Sequence, residues 1–197
     1  MVIAIMGFIT MTMLIRQQQF DSSTLLRSLA YSVALSVRQA QTYGVSVKLY
    51  VNGSTTSFAP AYGVYFSPNL SCVGGRANSC YLLFADVNGD GQRADDASED
   101  IQVFNMGKGF FIKDFCATGQ TVGTQCYSTG LQWLAVTFRR PNPDACFSTS
   151  AQPITCVLNA TPTYSSSASI QVTSQGGSTR TVDMSPTGEI NVGTSGT

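Results

Sequence analysis

Two hydrophobic periods divide the chain. Met1 to Ile15 contains no charged residue and is almost wholly apolar. As a helix this stretch rises about 22 Å, short of the ~30 Å apolar core of a bilayer. A cleaved signal peptide fits the length, but the basic leader and small-residue cleavage site are missing. From Arg16 onward Leu26, Leu29, Val33, Val37 and Ala40 recur at spacings of three and four, the stripe of an amphipathic helix. Residues 16–43 hold neither glycine nor proline, and Gly44 stands where a helix takes a left-handed C-terminal residue. The pattern predicts one continuous helix, apolar all round over 1–15 and on one face over 16–44, about 65 Å long.

After Gly44 the period becomes two. Val45–Val51 alternates apolar and polar residues and runs into Asn52-Gly53, a hairpin turn. Further strands are predicted at Ala61–Phe66, Tyr81–Ala85, Ile101–Phe104, Phe110–Phe115, Trp133–Phe138, Ile154–Leu158 and Ile170–Thr173. Gly176-Gly177 then turns the chain into Thr181–Met184, and Gly188–Val192 closes the series. No repeat or linker interrupts 45–197, so one β-rich head is expected. The predicted class is α+β: a long N-terminal helix packed by its C-terminal half on that head and stabilised by disulfides.

Composition narrows the function. Only 11% of the 197 residues are charged, against about 25% in an average soluble protein. The eleven basic and eleven acidic side chains cancel, so no global field draws the chain to nucleic acid or to an anionic membrane. Serine and threonine supply 44 residues, so the polar surface is built mainly from hydroxyls and amides. Such a neutral surface favours association. Histidine is absent, which removes the commonest general base and metal ligand. No nucleophile can be matched with a base, and the chain is not expected to be an enzyme.

The six cysteines fall in three close pairs, Cys72/Cys80, Cys116/Cys126 and Cys146/Cys156. Six allow 15 pairings; nearest-neighbour disulfides are preferred because each pair brackets a loop rich in small polar residues. An oxidising compartment is implied, with reduced core thiols as the alternative.

The eleven acidic residues are unevenly spread. Asp86, Asp90, Asp95, Asp96, Glu99 and Asp100 lie within fifteen positions, opening as Asp86-Val87-Asn88-Gly89-Asp90-Gly91. Oxygen ligands on alternate residues, with glycines for a sharp turn, are how calcium loops gather their six to eight oxygens. Asp86, Asn88 and Asp90 are the expected side-chain ligands and Gln92 a carbonyl ligand. Asp95, Asp96 or Glu99 would fold back to complete the shell around Ca2+. Ala97 occupies the position of an EF-hand's bidentate glutamate, and no helical pattern flanks the loop, so an EF-hand is excluded. The alternative is a solvated acidic turn. Asn52, Asn69 and Asn159 begin glycosylation-type triplets, a pattern that arises freely in so hydroxyl-rich a chain.

Val2–Ile9 resembles the hydrophobic N-terminal segment of type IV pilins and type II secretion pseudopilins. Leu25–Leu29 through Arg38–Gly44 is similar to the second half of the helix in the minor-pseudopilin branch. Ala61–Phe66 and Ser185–Ile190 resemble strands of that branch's head. The resemblance implies a structural subunit of an extracellular, pilus-like filament serving adhesion, motility or uptake. It would be a homo-oligomer whose N-terminal helices pack side by side through Val2, Ile3, Ile5, Phe8, Ile9 and Leu14, held in the inner membrane before assembly. The alternatives are a low-abundance pseudopilin of a secretion or DNA-uptake machine and a membrane-anchored surface binding protein. The family's Gly-Phe cleavage context and the glutamate that follows it are missing, and Ile15 stands about where many pilins have proline. Residues belonging before Met1 are therefore expected.

Overall fold

In a computed structural model the structure describes residues 2–52, 55–74, 77–119, 123–151 and 165–194, with side chains at all of these except 13–21, 55, 165 and 166. Helix α1 runs Val2–Val45 as a single element of 44 residues. Twelve strands follow: β1 Leu49–Asn52, β2 Thr55–Phe58, β3 Ala61–Phe66, β4 Cys80–Asp86, β5 Asp100–Asn105 and β6 Phe111–Gly119; then β7 Gly123–Cys126, β8 Leu134–Phe138, β9 Ala145–Thr149, β10 Ser165–Thr173, β11 Thr179–Met184 and β12 Ile190–Gly193. One 3-10 turn, Tyr127–Thr129, sits between β7 and β8.

The strands form three antiparallel sheets: a β1-β2 hairpin, a five-stranded sheet in the order β12-β11-β10-β6-β7, and another in the order β5-β4-β3-β8-β9. This corrects the expected α+β class. The described chain is mostly β-sheet, and it does not divide into a helical stem and a separate head. The second half of α1 touches β3 and β8 of one sheet and β10, β11 and β12 of the other. Its buried Leu26, Ala30, Val33, Ala34, Val37 and Ala40 belong to the same core cluster as Val64, Val136, Phe138, Ile170 and Val182. The sequence pattern underestimates the sheet content because β2 and β7 are short and largely polar, and β9 is a short strand that mixes small, apolar and hydroxyl residues.

The helix stripe explains its own packing. Residues three and four apart share a face, and on this face the chain places small or β-branched residues that let α1 approach the sheets closely. Gly44 takes this furthest: a Cβ there would collide with the Phe138 carbonyl of β8. Its φ is not left-handed and the helix continues through Val45, so Gly44 is a close-approach residue and not the expected C-terminal cap. Gln41 adds a polar tie, its Nε2 donating to the carbonyls of Pro143 (3.0 Å) and Gly188 (3.1 Å). Ser36 Oγ, buried on the same face, is 2.9 Å from Tyr81 Oη.

The predicted strand Val45–Val51 shrinks to β1, since Val45 still belongs to α1. Its apolar alternation faces outward: Val47, Leu49 and Val51 are exposed while Tyr50 is buried. Tyr50 wins the inward position because its ring fills the core and its hydroxyl reaches an acceptor, the Ser98 carbonyl at 2.6 Å. The predicted strand Ile154–Leu158 lies outside the described residues.

Two disulfides are fully described. Cys72 joins Cys80 across 8 positions and Cys116 joins Cys126 across 10, the latter pair directly opposite in the β6-β7 register. Cys146 is also disulfide-bonded, and Cys156 lies outside the described residues. Closing loops of this size removes denatured-state entropy worth roughly 2.5–3 kcal/mol each.

Candidate functional sites: the acidic loop and the apolar helix end

The acidic residues leave β4 at Asp86 and return to the sheet at Asp100, the first residue of β5. Because β4 and β5 are antiparallel neighbours, the segment is the connection between them at one end of the sheet, and short side-chain-to-backbone bonds shape it. Asn88 Oδ1 accepts from the Asp90 N–H (3.0 Å), Asp90 Oδ1 from Gln92 N–H (2.8 Å), and Asp96 Oδ1 from Ser98 N–H (3.0 Å). Asn88 Nδ2 donates to Asp90 Oδ2 at 2.9 Å. Gly89 and Gly91 take positive φ, the conformations that such tight reversals require.

Two carboxylates face inward, Asp86 and Glu99, each only 3% exposed. Glu99 folds back over the loop, but its bonding is not that of a free ligand. Its Oε1 accepts from the N–H groups of Val87 (2.8 Å) and Asn88 (3.3 Å), and its Oε2 from Ala94 (2.9 Å). Burial raises its pKa, and those three N–H groups oppose the shift. Glu99 thus acts as a staple for the loop backbone.

Asp86 differs. Its Oδ2 accepts from Gly91 N–H at 3.0 Å, whereas its Oδ1 is buried without a hydrogen-bond partner. Burial pushes its carboxyl up to about 6; the N–H groups of Gly91 and, more weakly, Gly89 oppose the shift, and the charges of Glu99 and Asp90 add to it.

The expected residues therefore separate. Asp86, Asn88, Asp90 and Gln92 lie in one turn, Glu99 beneath it, and Asp95 and Asp96 on its exposed side. Asp96 is held below the usual carboxylate range by the hydroxyl and N–H of Ser98. Asp100 lies outside the turn, paired with Arg93 through two bonds of 2.7 Å. The Ser98 carbonyl also accepts from Asn52 Nδ2 at 2.8 Å, so the loop is fastened to the β1-β2 hairpin. Sequence reasoning missed Tyr50, Asn52 and Arg93, whose roles depend on which segments become neighbours. The one compact group of metal-type side chains among the described residues is Asp114, Cys116 and Cys126, whose sulfurs are bonded to each other and are not thiolate ligands.

The second feature is the start of α1. Val2, Ile3, Ile5, Met6, Phe8, Ile9 and Met11 are all exposed, Ile3 at 87% and Phe8 at 72%. The first buried helix residue among the described side chains is Leu26. Thr10 Oγ1 donates to the Met6 and Gly7 carbonyls and Thr12 Oγ1 to that of Ile9, so even these hydroxyls turn back to the helix. Val2, Ile3, Ile5, Phe8 and Ile9 therefore present an apolar surface; the Leu14 side chain is outside those described. Among the described residues, no helix is long and apolar enough to cross a membrane. The chain matches no family model, and no curated protein or solved structure matches it significantly.

Proposed function

We propose that this chain is a structural subunit of an extracellular, pilus-like filament, assembled from identical copies through the apolar start of α1. The observation that carries the reading is the run of exposed apolar side chains from Val2 to Met11 on a helix whose other half is buried in the chain's own core. Isolated exposed hydrophobic residues need no explanation, but a contiguous apolar rod calls for a partner. A like helix is the simplest one, because apolar faces without charge pack through area alone, at about 25 cal/mol per Å² before entropic costs. The hydroxyl-rich β body, low in charge and cross-linked by disulfides, suits the outside of such an assembly. The resemblance of Val2–Ile9 to pilin N-terminal segments supports the same reading.

Electron microscopy of sheared surface material, with labelling against this chain, tests it. Long fibres that carry the label are expected. Label confined to cell envelopes, with no fibres, would overturn the reading.

A further inference from the structure

We propose that the turn Asp86–Gln92 is a binding site for a single divalent cation, calcium, with Asp86 as its buried ligand. This goes beyond the filament reading and does not depend on it. The acidic cluster alone would be no argument, since Glu99 shows that a carboxylate here can be fully used by backbone N–H groups. Asp86 carries the inference. Its Oδ2 is tied to the N–H of Gly91, the residue that closes the turn, which holds the carboxylate inside the loop. Its Oδ1, equally buried, has no donor. Buried carboxylate oxygens are ordinarily satisfied, because leaving one bare forfeits its hydration with no return. Among the described residues, nothing supplies the missing partner. The charges that act on Asp86 most are those of Glu99 and Asp90; Arg93, the one cation within the segment, is paired with Asp100, and the Arg139 guanidinium, which stands beside Gly89, makes no hydrogen bond to Asp86 Oδ1.

A cation at Asp86 Oδ1 would meet that deficit. Asp90 and Asn88 lie on the same turn, where the bond from Asn88 Nδ2 to Asp90 Oδ2 would have to open to the ion, and the Gln92 carbonyl and water can complete an all-oxygen shell. Calcium suits these donors better than magnesium, because it accepts six to eight oxygens in irregular geometry, whereas magnesium demands a near-ideal octahedron. Occupancy would also stiffen the neighbouring hairpin, since the Ser98 carbonyl holds Tyr50 and Asn52.

The test uses the full chain in detergent, stripped with a chelator and titrated with calcium, with magnesium as comparison, by calorimetry and thermal melting. Saturable binding at one site is expected, with a Tm rise of roughly 5–10 °C at a hundredfold excess over Kd. Asp86→Asn and Asp90→Asn should each weaken binding at least about tenfold. Asp95→Asn and Asp96→Asn, on the exposed side, should leave it within about threefold. In chelator Asp86→Asn should melt no lower than the parent, which separates a lost ligand from a lost fold; should it fail to fold, Asp90→Asn decides. No heat and no Tm rise at about 10 mM calcium would overturn the proposal. So would calcium binding that survives Asp86→Asn, or that falls equally with Asp95→Asn and Asp96→Asn, the mark of diffuse acidic attraction.

Discussion

The two ends of α1 use similar residues and meet opposite surroundings. Leu26, Val33 and Val37 are sealed between two sheets, while Ile3, Ile5 and Phe8 stand exposed beyond the core. The difference is one of pattern. Between Leu26 and Ala40 most apolar residues keep to one face, with Tyr31 and Leu35 outside it and Ser36 within it, so the chain's own sheets cover that face. Between Val2 and Met11 apolar residues surround the helix, and only several neighbours at once could cover it. The first half therefore presents a bare apolar surface; the second is already core.

Substitutions can sharpen that contrast, and the largest effects should fall on the buried half. Leu26→Ala should cost about 2–5 kcal/mol of unfolding free energy, read by denaturant titration, because the sheets cannot collapse onto the gap. Removing the Cys116–Cys126 bond, as a double serine variant, should cost roughly 2.5–3 kcal/mol by the same measurement if its loop entropy is the main term. Gly44→Ala should cost about 1–3 kcal/mol, since the added methyl must push α1 away from Phe138. Were Gly44 a left-handed cap, alanine would be penalised even with space around it; the mark of close packing is a cost that climbs further with larger side chains at this position, because the obstacle is the backbone carbonyl of Phe138. At the small end, Leu35→Ala on the outer face, where Leu35 is 65% exposed, should change stability by no more than about 0.5 kcal/mol.

The same contrast shows what can be read from the chain before folding. The helix stripe is legible because Leu26, Val33, Val37 and Ala40 follow the helical period, and Ala61–Phe66 and Thr181–Met184 because strong β-formers stand between turn residues. Thr55–Phe58, Gly123–Cys126 and Ala145–Thr149 escape, since their strand character comes from the partner across the ladder. Tyr50 taking the inward place of Leu49 and Val51 is equally hidden, as it depends on the Ser98 carbonyl 48 positions away. In the acidic loop the spacing Asp86-x-Asn88-x-Asp90-Gly91 is plain. The division of labour between Asp86 and Glu99 is not, because it rests on which oxygens the backbone reaches first.

The most direct measurement compares Ile5→Asp with the parent chain for assembly and for the melting of the β body. One charge in the apolar rod should abolish sedimentable filaments, while the Tm of the monomeric β body stays unchanged, because Ile5 is no part of its core. Filaments that form as readily from the Ile5→Asp chain as from the parent would contradict assembly through the start of α1.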